Sequence, residues 1–547
     1  MAASSESTEQ YWKTGSISSL LAHGALPDSD SIISNAKSTA ETVTDFYNRT
    51  LTTRRYALAG VACSSIISCF CIVAGILIIS THGISGIVQV LSFESDLQLR
   101  MLSLTLNLIV TLCTESIGFM HNISLRSALA SDSRLTFNSN LRLMTAARGW
   151  CNPNGALFNG IMAVLLTISY SSAPLAVYYF WIAGFPLLIL GLTLFLQVAI
   201  TLAGMRAVKI LTWSSSPFDV TAALIHHTQL TPASFRCMCG VSDIDTTGGP
   251  MKPLEAQPSA WHAHPSIRKV ILFIWVLVVA CAGWGALVVY KHNTTPTSPQ
   301  SWSFIPSGDT PALTYDVSTS GGNTIWVWLL AVVNIAVFQA PLTLGLHCSE
   351  LIVNVIQNER QWRCATSSNG LSTTTNPLKA FLTNPLGLVL FVLKPVLHWM
   401  FGLSFIFGPM WVGGGNNTVF IGFAIQMNTY QIFNLCIAQL IFASVFTLLA
   451  LCRPRGPQPA TYGHLQTLAN LVDEWSPVMW WGHKEDGIPY CHAGTSGHPL
   501  PDVKMDCVYA HSGVVSHPPI PGKIPAVEKP HNQTRHLHAV CCAGSSL

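Results

Sequence analysis

From Met101 to Glu115 the chain is apolar apart from a few polar residues, of which Ser103, Asn107, Thr111 and Glu115 recur every fourth position. On a helix that spacing gathers all four on one face. A carboxylate inside an apolar span is expensive in lipid, so Glu115 is read as a functional group. A second pair, Lys394 and His398, stands four residues apart in Leu393-Lys394-Pro395-Val396-Leu397-His398-Trp399 and shares a face of another helix. With a rise of ~1.5 Å per residue, Glu115 lies roughly 9 Å and Lys394 roughly 12 Å from the same side of the membrane, which allows an ion pair, with His398 deeper. A shallower polar layer is expected from His347, Glu350 and Asn354, one face of a long helix kinked at Pro341, together with His121.

Such a constellation suits a gate or a coupling site biased by protonation, with a vestibule open to the cytosol. The same residues also fit a structural role, in which Lys394 snorkels, Glu115 bonds to backbone and the boundary residues cap helices. Enzyme chemistry has less support. The chain carries no HExxH, no histidine boxes, no GxSxG and no aspartate-rich motif, and His347-Cys348-Ser349-Glu350 supplies too few ligands for a di-iron site. An acyltransferase resting on His398 is the minority alternative. Cys491, His492, His498, Cys507 and His511, or His226, His227, Cys237 and Cys239, offer ligand types, but at spacings of no known zinc module. No metal and no cofactor is expected from the sequence.

These residues require a membrane scaffold. Half of the 547 residues are hydrophobic and only 10% are charged, against roughly a quarter in soluble domains. The net charge of +3 gives no reason to expect a nucleic acid partner. Many of the 16 cysteines lie in apolar runs, where a thiol acts as a small hydrophobe, so no disulfide framework is expected. Spans of about 20 apolar residues are predicted at 57–80, 101–120, 156–173, 176–202, 270–290, 325–346, 386–408 and 430–452. The fold class is therefore all-α, a polytopic bundle of about eight spans. Pro174 is expected to close the third helix and open the fourth, and 410–427 to form an outer loop with an interfacial or re-entrant segment.

Lys and Arg concentrate before the first span, in 121–155 and in 203–269, whereas 81–100, 291–324 and 409–429 hold only Arg100 and Lys291. This places both termini in the cytosol of a plasma membrane or endomembrane protein. The sequon at Asn293 then faces the lumen or the exterior and is available for glycosylation. Three regions follow: a flexible arm over 1–53, the bundle over 54–452 and a cytosolic helix and tail over 453–547. Leu465, Leu468, Leu471, Val472 and Trp475 predict an amphipathic helix over 462–475, packed on the cytosolic ends of the bundle since it has no Lys or Arg, with a place on the membrane surface as the alternative. From about 510 onward the composition predicts disorder. No cleaved signal peptide is expected.

Several stretches taken together resemble a group of uncharacterised fungal multi-pass membrane proteins, over roughly 57–510. They are Thr111-Leu-Cys-Thr-Glu-Ser-Ile-Gly-Phe-Met-His121, Ser124-Leu-Arg-Ser-Ala-Leu129, Asn152-Pro-Asn-Gly155, Gly345-Leu-His-Cys-Ser-Glu-Leu-Ile-Val-Asn354, Leu393-Lys-Pro-Val-Leu-His-Trp399 and His492-Ala-Gly-Thr-Ser496. The resemblance implies a membrane protein and carries no biochemical role. Where the group has an Arg-Asp-Glu run before Trp-Arg, this chain reads Gln357-Asn358-Glu359-Arg360-Gln361-Trp362-Arg363. The expected function is a transporter or channel-like protein for a small solute or ion in the lipid bilayer. The alternative is a non-catalytic sensor or scaffold whose cytosolic tail recruits a protein partner.

Overall fold

Among the described residues, eight helices are long and apolar enough to cross a membrane. The computed structural model describes residues 51–84, 87–89, 96–139, 143–178, 181–244, 248–292, 302–306, 312–318, 324–373, 382–412 and 419–510. In chain order the elements begin with α1 (Leu51–His82), β1 (Ile87–Gln89), α2 (Asp96–Ser131), α3 (Ala156–Ala176), β2 (Val177–Tyr178), β3 (Trp181–Ala183) and α4 (Gly184–Arg206). Next come α5 (Pro217–His226), α6 (Ala260–Ala263), α7 (Pro265–His292), β4 (Ala312–Ser318), α8 (Thr324–Cys348), α9 (Glu350–Arg363) and β5 (Leu371–Ser372). The remainder is α10 (Pro385–Ser404), β6 (Phe405–Val412), β7 (Val419–Asn428), α11 (Thr429–Leu451), α12 (Leu465–Leu471), β8 (Val478–Glu485) and β9 (His492–Ser496). The spanning helices are α1 to α4, α7, α8, α10 and α11, as the all-α reading requires.

They pack as two groups of four. Helices α1 to α4 share an apolar core that includes Val61, Ile117, Leu166 and Leu194. Helices α7, α8, α10 and α11 share another, around Ile274, Ile335, Leu397 and Phe442. Small residues permit the close approach that lipid-embedded helices rely on. A Cβ on Gly191 would sit 2.8 Å from the backbone nitrogen of Ile72, and Ser68 Oγ donates to the Gly191 carbonyl at 2.8 Å. The two groups meet where α3 lies against α8 and α10 lies against α2.

At one end, β4, β7 and β6 form an antiparallel sheet, with Ala312 opposite Asn428 and Phe405 opposite Met427. The described residues of 410–427 are strand, Met410–Val412 at the end of β6 and 419–427 in β7, whose alternating pairing satisfies their backbone groups. Pro174 lies inside α3, which continues to Ala176. The turn to α4 is made by β2 and β3, joined by β1. Asn293 lies outside the described residues.

The other end is closed by a folded layer. Helix α2 runs to Ser131, well past the predicted limit at 120. Trp362 of α9 is fully buried and donates from Nε1 to the Pro459 carbonyl at 2.8 Å. Only Leu465–Leu471 of the expected 462–475 helix is helical, because Val472 turns extended and the chain continues into the β5-β8-β9 sheet. Leu465, Leu468 and Leu471 are buried, and α12 packs against α5. The segment 453–510 is therefore a built part of the molecule, with buried Met479, Trp481 and Tyr509 in its core.

Candidate functional site

Helix α10 starts at Asn384, whose side chain accepts from the Gly387 backbone N–H at 3.1 Å, with Pro385 in the first turn. That start sets the phase of Lys394 and His398. Its far end is tied to α2, where Trp399 Nε1 donates to the Arg100 carbonyl at 3.0 Å. With α10 and α2 joined in this way, Lys394 Nζ donates to Glu115 Oε1 at 2.5 Å. The expected ion pair is present.

Two further residues complete the cluster. Helix α8 ends at Cys348 and α9 begins at Glu350, with Ser349 between them in α-helical geometry and its N–H bonded to the Gly345 carbonyl at 3.1 Å. The expected long helix is therefore present, continuous from Ile325 to Thr366, and it runs through Pro341 without interruption. Glu350 Oε1 also accepts from Lys394 Nζ. His347 Nδ1 lies 2.9 Å from Glu350 Oε1, 3.5 Å from Lys394 Nζ and 3.7 Å from Glu115 Oε1. One ammonium, two carboxylates and one imidazole therefore meet at a point. The Lys394 side chain is 2% exposed, whereas those of Glu115 and Glu350 keep 29% and 21%. The cation is enclosed and the two carboxylates are the more exposed members of the cluster.

His398 stands beside this cluster, not in it. Its ring stacks on Tyr170 with centroids 3.8 Å apart, and Nδ1 is 2.9 Å from the Gln339 amide nitrogen. The Tyr170 ring is also 5.9 Å from that of His347. Tyr170 donates from its hydroxyl to Thr111 Oγ1 at 3.0 Å and lies 3.2 Å from Thr114 Oγ1. Thr111 donates to the Asn107 carbonyl, and Asn107 Nδ2 to that of Ser103. Within the polar stripe of α2, Asn107 and Thr111 are buried, and Ser103 and Glu115 are half-buried. Gln339 Oε1, His398 Nε2, His347 Nε2 and Asn107 Oδ1 are buried with no hydrogen-bond partner among the described residues.

The shallower layer is only partly assembled. His347 and Glu350 belong to the cluster. Asn354 is exposed and takes no part in the cluster. His121 is buried with Nε2 2.9 Å from Asn159 Oδ1, a tie between α2 and α3. Tyr170 and Gln339 escaped the sequence reading. Gln339, Thr343, His347 and Glu350 recur at intervals of four, four and three, a stripe that was available to it; nothing in the sequence singles out Tyr170.

A second ionic site holds the end layer together. Glu359 Oε2 accepts from the backbone N–H of Thr461 and of Tyr462, each at 2.8 Å, and Oε1 accepts from Arg363 Nε at 2.8 Å. In the β8-β9 region Asp473 Oδ2 pairs with His492 Nε2 at 2.9 Å and Lys484 Nζ at 3.0 Å, and Oδ1 accepts from the Thr495 N–H. Burial alone would raise the Asp473 carboxyl, but His492, Lys484 and Thr495 outweigh it and bring the pKa down to about 2.

Eight spans in two groups, with a charged cluster where those groups meet, define a multi-pass helical membrane protein. No family model, no curated protein and no solved structure matches the chain.

Proposed function

We propose that this protein is a transporter or channel-like protein for a small solute or ion, with the Lys394 cluster as its coupling site. The observation that carries the reading is that Lys394 bridges two carboxylates from opposite groups of helices, Glu115 on α2 and Glu350 on α9. With both carboxylates ionised and His347 neutral, the cluster has a formal charge of −1, and uptake of one proton neutralises it. Buried charge is strongly penalised when unpaired, so protonation of either carboxylate loosens the bridge and lets the groups shift. Alternating access by movement of one helix group against another needs such a link. In this reading both termini face the cytosol, and the rim of carboxylates opens toward that side.

Proton flux into proteoliposomes carrying a trapped pH-sensitive dye tests it. Glu115→Gln and Glu350→Gln should each reduce flux at least tenfold, and truncation after Ala510 should leave it intact. Wild-type flux in Glu115→Gln would overturn the reading. A scaffold that recruits partners predicts no proton flux in wild type or in any variant, and its support is the folded layer at 453–510, which offers partners a rigid surface. The acyltransferase alternative has no support beyond the presence of His398.

A further inference from the structure

The site that binds Lys394 has the composition of a metal site. Glu115, His347 and Glu350 each offer one ligand atom, and these atoms all lie within 4.8 Å of one another. A cation held at ~2.1 Å by oxygen and nitrogen ligands keeps adjacent ligand atoms roughly 3.0–3.4 Å apart. The two separations from His347 Nδ1, 2.9 Å to Glu350 and 3.7 Å to Glu115, bracket that range. More than an acidic cluster is involved. The imidazole is 1% exposed and points its Nδ1 at both carboxylates, and a cation, the Lys394 ammonium, is already seated between them.

We propose that a divalent transition-metal ion of the zinc class exchanges with the Lys394 ammonium at this point, bound by Glu115 Oε1, Glu350 Oε1 and His347 Nδ1. The choice of class follows from the donor set. Mg²⁺ and Ca²⁺ take all-oxygen shells of six or more ligands, whereas one imidazole with two carboxylates suits Zn²⁺, Mn²⁺, Fe²⁺ or Co²⁺. Three protein ligands also leave a coordination position open, as exchangeable sites do and closed structural sites do not. The charge supports the exchange. With lysine seated the cluster totals −1. With a divalent ion in place of the ammonium, two carboxylates and the ion sum to zero, and the displaced ammonium leaves the site as a cation. The partly exposed carboxylates give the ion its approach, and the enclosed lysine is the competitor that keeps affinity low enough for release.

This deepens the transport reading and rests on it for its biological sense, but metal binding is measured separately. The full chain, purified in detergent micelles, is titrated with Zn²⁺ by calorimetry and with Co²⁺ by visible absorption. Binding that weakens at least tenfold in His347→Gln and in Glu350→Gln supports the site. Lys394→Met removes the competitor and takes the cation away from both carboxylates. It should melt at a lower temperature than wild type without metal and recover on adding Zn²⁺, and the double variant Lys394→Met with His347→Gln should not recover. Should Zn²⁺ bind wild type and His347→Gln equally, or should Mg²⁺ rescue Lys394→Met as well as Zn²⁺, the proposal is overturned. Proton flux that depends on Glu115 without metal binding would sink the metal site and keep the coupling site. Metal binding at these residues without flux would do the reverse.

Discussion

A lysine with 2% of its side chain exposed persists in a bundle interior only when its charge is answered at close range, and Lys394 has two carboxylates to do so. Glu359 shows the same rule in reverse, an enclosed carboxylate answered by donors. It accepts from two backbone N–H groups through Oε2 and from Arg363 through Oε1. Glutamine has one acceptor oxygen, so in either orientation Glu359→Gln sets its amide N–H₂ against a donor. It should cost about 1–3 kcal/mol, read as a lowered thermal midpoint in detergent, whereas Glu474→Gln, at a carboxylate 48% exposed, should leave the midpoint unchanged. Equal midpoints for the two variants would show that the clamp holds nothing. Pairing of this kind was legible for Glu115 and Lys394 because each is costly in an apolar span. Glu359 gave no such signal, because a glutamate in a polar stretch reads as a solvated face.

At the scale of elements, the stretch after α2 meets the start of α7 and the cap of α12 through three packed rings, one pair tilted and the other edge-on. Phe137 lies 4.3 Å from His264 and 4.9 Å from His464, centroid to centroid. His464 also caps α12, its Nδ1 accepting from the Thr467 N–H at 3.2 Å. Burial lowers both histidines to about 4, and for His464 the neighbouring His264 adds to the fall. Unfolded histidine titrates near 6.5. A lowered folded value means the stability from the neutral rings is fully present above about 6.5 and is lost as pH falls toward 4. Thermal midpoints should therefore decline across that window, and His264→Phe, which keeps a ring and removes one titrating group, should flatten the decline. An unchanged slope in His264→Phe would contradict it. Asp473, with its pKa near 2, adds a further loss only below about pH 4.

For the whole molecule, the orientation proposed from basic residues has a direct readout. Membranes from expressing cells should yield a band that shifts on deglycosylation, and Asn293→Gln should abolish that shift. A shift that survives in Asn293→Gln would place the glycan elsewhere and weaken the assignment of sides. The sequence by itself determined the number of spans, because a run of about 20 apolar residues has no other way to satisfy its backbone in lipid. It also determined that the polar residues of α2 share one face, because helical period is a local property. The limits of helices were less visible. Helix α2 continues to Ser131 because its last turns are buried by the end layer, a contact with residues far along the chain. The β6-β7 hairpin was hidden for the same reason, since its apolar strand matches a short membrane segment in composition and differs only in its partner. The full cluster also waited for the tertiary structure. Depth alone matched Glu115 with Lys394, but only the packing of α9 beside α10 brings Glu350 to the lysine, while Asn354 stays at the surface. Which helices adjoin is decided by packing over the whole bundle, and no local period records it.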